Sequence, residues 1–296
     1  MITALDCMAC LVRQSLDAAR MVSNDPVVHE QIMREVLEWT ARMDLKLAPP
    51  VLAQRIHRRL REITGVNDPY RAAKDQGNRM ALALLPELES VVDHSPEPLV
   101  MALRLAMAGN VIDLGASSAI TPAGLERAVR QAMTEPLTGP LAEFKRAVDE
   151  ARTILYLADN AGEIVFDRLL IKQLRPPRVT VAVRGAPVIN DATIEDARGA
   201  GLGEMVALIE NGSDAPGTLL EDCSETFRRH YEMADLIIAK GQGNFETLSQ
   251  EARNIFFVFK VKCTVIAAHL GLPVGTHILA TPRHIPAGSS GYQERC

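Results

Sequence analysis

The sequence is poor in cysteine, in aromatic side chains and in long apolar stretches. Its 296 residues include five cysteines, and aromatic residues make up 4% of them. An odd, sparse set of cysteines argues against a disulfide framework and favours a reducing compartment. No apolar stretch approaches the roughly 18 residues that a membrane span needs, and the amino-terminal segment lacks the pattern of a signal peptide. We therefore expect a cytoplasmic protein that does not bind membranes.

Neither sign of charge dominates the sequence. The formal net charge is -5 and the pI is about 5.9, which argues against general binding to nucleic acids. A basic run, RIHRRLRE, covers residues 55–62 and fits a solvated helix face better than a nucleic-acid patch. The chain is rich in hydrophobic residues, at 47%, which is enough for a large core. We expect a small-molecule partner, and the sequence leaves the oligomeric state open.

Two regions of the chain differ in their hydrophobic periodicity. Up to residue 108, apolar residues recur every three or four positions, which predicts helices. From about residue 152, short β-rich runs alternate with helical ones, which predicts a mostly parallel sheet covered on both faces. We therefore predict a helical region over 1–108 and a doubly wound, Rossmann-like α/β/α core over 109–296. The predicted strands are TILYLAD, RVTVAVRG, MVALIENG, DLIIAKG and NIFFVFKV.

Polar residues follow the predicted strands. Because ligands of open parallel sheets bind at the carboxyl ends of the strands, these residues should meet at one edge. Carboxylates and carboxamides suit Mg²⁺ or Mn²⁺, whereas lysines and glycine-rich turns suit a phosphate. The combination predicts phosphoryl chemistry at a divalent metal. The residues at the strand ends are Asp159, Asn160, Glu163, Asn190, Asp191, Glu210, Asn211, Ser213, Asp214, Lys240, Gln242, Gly243, Asn244, Lys260, Lys262 and Cys263.

Each of these signals also has a structural interpretation. Asp159 and Asn160 fit a turn and a helix cap. Asn190 and Asp191 precede ATIEDA, where a helix cap is equally reasonable, and KGQGN fits a plain turn with an exposed lysine. The recurrence of polar residues on successive strands favours a shared site over a series of unrelated caps.

The segment GNVIDLGAS joins the two regions, over residues 109–117. Asn110 and Asp113 follow a predicted helix there. The pair fits either a turn with a capping aspartate or a contribution to the site.

The motif DCMAC places Cys7 and Cys10 at the head of a predicted helix. A single CxxC is a weak zinc signal, and a thioredoxin-like motif would follow a strand. The alternative is two cysteines on a helix face. If the pair forms a second metal site or a redox site, Cys263 is the candidate third member. Soft thiolates match a hard cation poorly, so we expect hydrolysis not to require them.

A set of segments resembles, in chain order, the metal-dependent damage-control phosphatases. This family was long catalogued as a domain of unknown function, and it includes eukaryotic members described as acidic-residue methyltransferase-like. The resemblance runs from residue 7 to about residue 272, and the CxxC is typical of the compact prokaryotic branch. The matching segments are CMAC, AGNVID, LADNAGEIVFD, GAPVINDAT, ADLIIAKGQGNFETL and FKVKC.

The resemblance implies hydrolysis of small phosphate monoesters, such as sugar phosphates or damaged phospho-metabolites, with a divalent metal (Mn²⁺, Mg²⁺, Co²⁺ or Ni²⁺). It implies that Asp159, Asn160 and Asp191 hold the metal and that the two aspartates are catalytic. Eukaryotic relatives carry an acidic or bulkier residue within KGQGN, so their sugar specificity does not transfer. The implied or candidate substrate contacts are Asn110, Lys240, Gln242, Gly243, Asn244 and Lys262.

There are two alternative functions. A nucleotide-dependent oxidoreductase would carry GxGxxG directly after a strand, but DNAGE has one glycine and KGQGNFE lacks the third. A non-enzymatic protein that binds a metal or a sugar phosphate would use much the same residues as a phosphatase. The chain also lacks the DxDx(T/V) pattern of phosphatases that attack with an aspartate, so water activated by the cation is the expected nucleophile.

Overall fold

The computed structural model describes residues 1–109 and 121–284, which contain twelve α-helices and seven strands. None of the helices in these two ranges is long and apolar enough to cross a membrane. The helices are α1 (Leu5–Val22), α2 (Pro26–Ala41), α3 (Pro49–Thr64), α4 (Arg71–Asp93), α5 (Pro98–Ala108), α6 (Pro122–Thr134), α7 (Leu141–Glu150), α8 (Glu163–Gln173), α9 (Ile194–Gly199), α10 (Glu225–Met233), α11 (Gly241–Leu248) and α12 (Thr264–Leu270). The strands are β1 (Leu137–Thr138), β2 (Ile154–Leu157), β3 (Val179–Val183), β4 (Ala207–Glu210), β5 (Leu236–Lys240), β6 (Ile255–Lys260) and β7 (His277–Ala280).

The strands form one sheet in the order β1-β7-β6-β5-β2-β3-β4. Strands β2 to β6 are mutually parallel, whereas β7 pairs antiparallel with β6. The chain first builds outward from β2 through β3 and β4, and then returns to add β5 on the other side. The carboxyl end of β2 is therefore a topological switch point, where open α/β sheets bind their ligands. The prediction of helices followed by a mostly parallel, doubly wound core is confirmed.

The sequence did not predict strands β1 and β7 or helices α6 and α7. Strand β1 has two residues, which is too short for a periodic pattern to show. Strand β7 has four residues, as β2 and β4 do, so its length does not explain why it was missed. The two strands extend the sheet beyond β6, on the side away from β2. They therefore leave the switch point unchanged.

Alternate side chains of each central strand face two layers of helices. Ile154 and Tyr156 of β2 pack with α4 to α9, whereas Leu155 and Leu157 pack with α10, α11 and α12. Both faces of the sheet are covered, which explains why the strands are almost entirely apolar.

The helical region divides into two parts by its packing. Helices α1, α2 and α3 share a hydrophobic cluster of their own. Helices α4 and α5 instead join the cluster of the sheet, mainly through α8. The packing therefore changes between α3 and α4, earlier than the predicted boundary at residues 108 and 109, because α4 and α5 bury their apolar faces against the core.

Helix α3 docks onto the core through charged groups. Asp214, in the loop after β4, accepts hydrogen bonds from Gln54 at 2.7 Å, from Arg58 at 2.9 Å and from Arg61. Arg61 also donates to the carbonyl of Pro187 at 2.6 Å. The basic run, predicted to be a solvated helix face, is thus partly engaged within the protein. These contacts fix α3 above the carboxyl end of the sheet.

We predict that Asp214→Asn lowers the free energy of unfolding by about 2 kcal/mol, because Arg58 and Arg61 lose their shared carboxylate. Urea unfolding measures this loss. Asp93→Asn is the matched control, because Asp93 pairs with Lys172 at 3.3 Å on the exposed surface, where such pairs contribute less than about 1 kcal/mol. Equal losses in the two variants would contradict the docking role of Asp214.

Candidate active site

The segment after β2 pairs with the end of the loop after β3. The amide of Ala192 donates to the carbonyl of Asp159 at 2.8 Å, and Asn160 forms an antiparallel bridge with Asp191. The pairing brings together Asp159, Asn160 and Asp191, which we call the carboxylate–amide cluster. The cluster lies at the switch point, on one edge of the sheet, where the strand-end argument places it.

A strained residue helps to turn the loop back toward β2. Ile189 has a φ of +44°, in the left-handed region that a β-branched residue rarely adopts. Asp191 closes this turn by donating from its amide to the carbonyl of Val188 at 3.0 Å. Strain of this kind is held at functional sites when the surroundings enforce it, and here it presents Asp191 to the cluster.

The capping interpretations do not hold for these residues. Helix α8 begins after Gly162 without a side-chain cap. Helix α9 begins after Thr193, which forms a capping box with Asp196. The side chains of the carboxylate–amide cluster therefore have no capping role at either helix.

Arg184 lies between the two carboxylates of the cluster. Its side chain is buried, and its Nε donates to Oδ2 of Asp191 at 2.6 Å. Its Nη2 lies 4.0 Å from Oδ1 of Asp159. Sequence reasoning missed this residue, although an arginine at the end of the apolar run VTVAV was a signal. Its charge stabilises two carboxylates that would otherwise repel each other.

The amide of Asn160 has a defined orientation. Its Nδ2 donates to Oδ2 of Asp159 at 2.8 Å and to Oε2 of Glu163 at 3.3 Å. Its Oδ1 accepts no hydrogen bond from the residues that the structure describes. A carboxamide oxygen left in this way suits a hard cation.

The electrostatics of the cluster also favour a cation. Burial, followed by the charges of Glu163 and Asp191, raises the pKa of Asp159 well above its usual value, while Lys262 and Arg184 oppose the rise. The donors present are oxygens of two carboxylates and one carboxamide, which fit Mg²⁺ or Mn²⁺. Over 1–109 and 121–284, no group of three or more His, Cys, Asp or Glu residues is arranged to hold a metal. A site at the cluster therefore depends on the amide as its third protein ligand.

Lys240 does not reach this site with its ammonium group. The side chain is fully buried, and Nζ donates to Glu163 at 2.6 Å, to Asp167 at 2.7 Å and to the carbonyl of Ala106 at 2.8 Å. The prediction that Lys240 contacts phosphate is therefore wrong, and so is the alternative of an exposed lysine in a turn. Through Glu163, the ammonium instead fixes the position of Asn160.

Asn244 is also buried away from the site. Its Nδ2 donates to the carbonyls of Lys240 at 2.7 Å and Ala158 at 3.3 Å, and its Oδ1 accepts from Thr218 at 2.8 Å. These bonds tie the end of β5 to the end of β2. The predicted substrate contact of Asn244 is wrong for the same reason as that of Lys240, because the side chain is already used inside the core.

The segment GQGN forms the first turn of α11, directly beside Asp159. Gly241 has a φ of +79°, and a Cβ at this position would lie 2.0 Å from Oδ2 of Asp159. A Cβ on Gly243 would lie 2.2 Å from the carbonyl oxygen of Pro216. Both glycines permit a close approach that no other residue allows, and they bring the amino terminus of α11 against the cluster.

A cavity of about 720 Å³ opens over the cluster. Its volume lies within the usual range for small-molecule sites. The carboxyl edge of the sheet forms one wall, and α1 and α3 form the opposite wall. Predicted site residues that line it are Asp159, Asn160, Asp191, Gln242, Gly243, Lys262, Cys7, Cys10 and Cys263. Asn110 lies outside the described residues.

The two lysines near the end of β6 separate in space. Lys262 lines the cavity, whereas Lys260 pairs with Glu135 at 3.8 Å. The strand ends at Lys260, so strict alternation no longer relates the two side chains. Gln242 accepts a hydrogen bond from the amide of Lys262 at 3.2 Å and thereby positions this segment.

The side chain of Gln242 also organises the neighbouring part of the cavity. It donates to Glu246 at 2.9 Å and contacts the sulfur of Cys263 at 3.6 Å. Burial raises the pKa of Glu246 to about 7. Sequence reasoning missed Glu246, which a helical spacing of four from Gln242 places on the same face of α11.

The three candidate cysteines meet at the cavity. Cys7 and Cys10 lie on α1, and burial raises the pKa of both thiols, that of Cys7 to about 11. Protonated thiols are poor metal ligands, and the described residues contain no cluster that would hold a metal through them. The second-metal hypothesis therefore gains no geometric support, and a redox role stays a prediction.

Another cavity, of about 840 Å³, lies at the opposite edge of the sheet. It is lined by the amino-terminal ends of β2, β3 and β4 and by the side chains of Arg152, Arg178, Arg229 and His230. The polar residues that follow the strands are absent from its lining. We therefore place the candidate active site in the cavity at the carboxyl ends.

Comparison with known proteins gives consistent matches over most of the chain. A family model described as the damage-control phosphatase ARMT1-like domain matches residues 3–278. The chain is 35% identical over 283 residues to a damage-control phosphatase of Archaeoglobus fulgidus, covering 91% of this chain and 95% of that protein. It is 33% identical over 276 residues to a damage-control phosphatase of Pyrococcus horikoshii, covering 91% and 94%.

Two further similarities extend this result. An uncharacterized protein of Methanocaldococcus jannaschii is 34% identical over 288 residues, with 93% of each chain covered. The crystal structure of a DUF89 family protein from Pyrococcus horikoshii matches with a TM-score of 0.85 at 30% identity. That match covers 95% of this chain and 99% of the other.

We predict that Gly241→Ala lowers the free energy of unfolding by about 3 kcal/mol and displaces the carboxylate of Asp159, because the new Cβ overlaps it and φ is positive. Gly271→Ala is the matched control. Gly271 has a φ of +66°, and no heavy atom of the described residues lies within 4 Å of the added Cβ. The unfavourable backbone conformation alone should therefore lower the free energy of unfolding by about 1 kcal/mol. Urea unfolding measures both losses, and a crystal structure locates Asp159. Similar losses and an unmoved Asp159 would disprove the steric constraint.

Proposed function

Because this chain belongs to the damage-control phosphatase ARMT1-like family and is thus a phosphatase, we propose that it hydrolyses small phosphate monoesters with the help of a divalent metal. The substrates would be sugar phosphates or damaged phospho-metabolites. The observation that carries the proposal is the carboxylate–amide cluster at the switch point of the sheet, opening into a cavity that Lys262 also lines.

The cluster is the proposed metal site. Asp159, Asn160 and Asp191 would hold one of Mg²⁺, Mn²⁺, Co²⁺ or Ni²⁺ through their side-chain oxygens. When bound, such a cation stabilises charge on phosphoryl oxygens and lowers the pKa of water. The hard oxygen donors and the crowding of carboxylates support this assignment.

Neighbouring residues orient the proposed metal ligands. Arg184 holds the carboxylate of Asp191 at 2.6 Å. Glu163, itself held by Lys240, accepts from Nδ2 of Asn160 and so fixes the orientation of the amide. Partners of this kind fix ligand orientation in many metal sites and reduce the cost of assembling them.

The phosphate would bind between Lys262 and the amino terminus of α11. The first amides of a helix have no partner within the helix, and the helix dipole favours an anion there. Lys262 would add a charge-assisted contact. Catalysis would then rest on holding the phosphoryl group in place and stabilising its charge.

Water is the proposed nucleophile. Arg184 occupies Oδ2 of Asp191, and Asn160 donates to Oδ2 of Asp159. Carboxylates that are already hydrogen-bonded in this way are poorly placed to attack phosphorus. The turn after β2 also carries Asp159 and Asn160 where a dinucleotide-binding enzyme has its glycine-rich loop, which weighs against an oxidoreductase.

We predict that Asp159→Asn and Asp191→Asn each remove most of the Mn²⁺-dependent hydrolysis of p-nitrophenyl phosphate, because each loses one of two charged ligands. Calorimetry should show weaker Mn²⁺ binding in both variants. In the absence of metal, the free energy of unfolding of Asp159→Asn should equal or exceed that of the parent protein. The substitution removes a buried carboxylate that Glu163 and Asp191 repel.

Asp235→Asn is the control for these variants. Asp235 accepts from the amides of Arg152 and Thr153 at the opposite end of the sheet, so its loss should leave metal binding unchanged. Full hydrolysis by either cluster variant at limiting Mn²⁺ would refute the metal assignment. Absence of hydrolysis in the parent protein, with any of the four metals, would instead favour a non-enzymatic binding protein.

We predict that Lys262→Ala lowers kcat/KM by about tenfold to hundredfold, because a charge-assisted phosphate contact contributes roughly 1.5–3 kcal/mol. Lys260→Ala should be nearly normal, because Lys260 pairs with Glu135 outside the cavity. Steady-state kinetics with p-nitrophenyl phosphate compare the two variants. The reverse ranking would show that the phosphate-binding lysine is misassigned.

A further inference from the structure

The cavity has a second polar wall, which the helical region supplies. His57 of α3 and Tyr70, directly before α4, line this wall together with Gln14 and Asp17 of α1. The ring centroids of His57 and Tyr70 lie 6.0 Å apart, with the ring planes tilted by 59°. Both residues are more than nine-tenths buried, with 7% and 5% of their surface exposed. The two rings form one polar patch on the side of the cavity away from the sheet.

The side chains of this pair lack hydrogen-bond partners within the described part of the chain. Over residues 1–109 and 121–284, neither the ring nitrogens of His57 nor the hydroxyl of Tyr70 forms a hydrogen bond. These polar atoms are not sealed in the core, so they are open to the cavity that the two residues line. A neutral histidine offers one donor and one acceptor, and a tyrosine hydroxyl offers the same. A ligand in the cavity would satisfy these groups.

The charge state of the pair indicates what kind of ligand group it takes. Burial, with the charge of Arg61, lowers the pKa of His57 to about 4. Burial and the carboxylate of Asp17 raise the pKa of Tyr70. Both side chains are therefore uncharged at neutral pH, which matches a phosphate dianion poorly. They match hydroxyl groups, which also donate and accept.

We propose that His57 and Tyr70 form a subsite for hydroxyl groups on the leaving group of the substrate. The protein would then favour phosphate esters of polyhydroxylated carbon skeletons over esters with apolar leaving groups. The inference rests on the proposed function for one point only, the binding of the phosphate at the carboxylate–amide cluster. The substrate would span the cavity, with its phosphate at the sheet and its hydroxyl groups at α3.

The test compares two variants that keep ring size and remove only polar atoms, His57→Phe and Tyr70→Phe. Calorimetry with Mn²⁺ measures the affinity for phosphonate analogues, which phosphatases do not cleave. The probes are the analogues of ribose 5-phosphate, glucose 6-phosphate and phenyl phosphate. The parent protein should bind at least one sugar analogue about tenfold more tightly than the phenyl analogue. Each variant should lose about tenfold for that sugar analogue and less than about twofold for the phenyl analogue.

Two control variants separate this role from a structural one. The hydroxyl of Tyr231 is buried outside the cavity and has no hydrogen-bond partner among the residues that the structure describes, so Tyr231→Phe should leave all affinities unchanged. His94 is exposed at the end of α4, so His94→Phe should do the same. If His57→Phe does not fold, Tyr70→Phe decides the question, because it removes a single oxygen atom.

Three results would overturn the subsite. They are equal losses for sugar and phenyl analogues, unchanged affinities in a folded Tyr70→Phe variant, and a parent protein without preference for either sugar analogue. Turnover of phenyl phosphate by the parent protein tests the proposed function separately. Selective loss of sugar binding in a protein that cleaves no ester would support the subsite and refute hydrolysis.

Discussion

The crowding of carboxylates at the carboxyl end of β2 is the constraint on which the site depends. Two buried cations, Arg184 and Lys240, lie among four buried carboxylates, which are those of Asp159, Glu163, Asp167 and Asp191. Removing a charge from water is costly unless a partner compensates for it. The four carboxylates outnumber the two buried cations, and the proposed divalent cation would offset this excess. Burial, followed by the charges of Glu163 and Asp191, raises the pKa of Asp159.

The two buried cations have different tasks that follow from their positions. Arg184 stands beside the proposed ligands and holds Asp191 directly. Lys240 lies one layer deeper, where it fixes Glu163 and, through it, the amide of Asn160. Lys262 supplies a positive charge at the cavity surface. The core of the sheet therefore supplies rigidity, and the cavity wall supplies contact with the ligand.

The sequence determined the main architecture and the centre of the site. Apolar strands alternating with helices are typical of a parallel sheet covered on both faces, and all five strands predicted in this way form β2 to β6. Polar residues at the ends of parallel strands must gather at one edge, because the strands run in one direction. The sequence therefore predicts that Asp159, Asn160 and Asp191 lie together, as they do in the structure, and the order of motifs pointed to the family.

Only the tertiary structure decided which of the polar residues face the cavity. Lys240 and Asn244 belong to the same motif as Gln242 and Gly243, yet their side chains turn into the core. Strand and helix periodicity predicts on which face of an element a side chain lies. It does not predict whether a charged partner from another element lies on that face. The buried position of Arg184 and the cavity position of His57 likewise follow from contacts between residues far apart in the chain. Such contacts depend on how the layers pack against each other, and a local pattern of residues does not predict them.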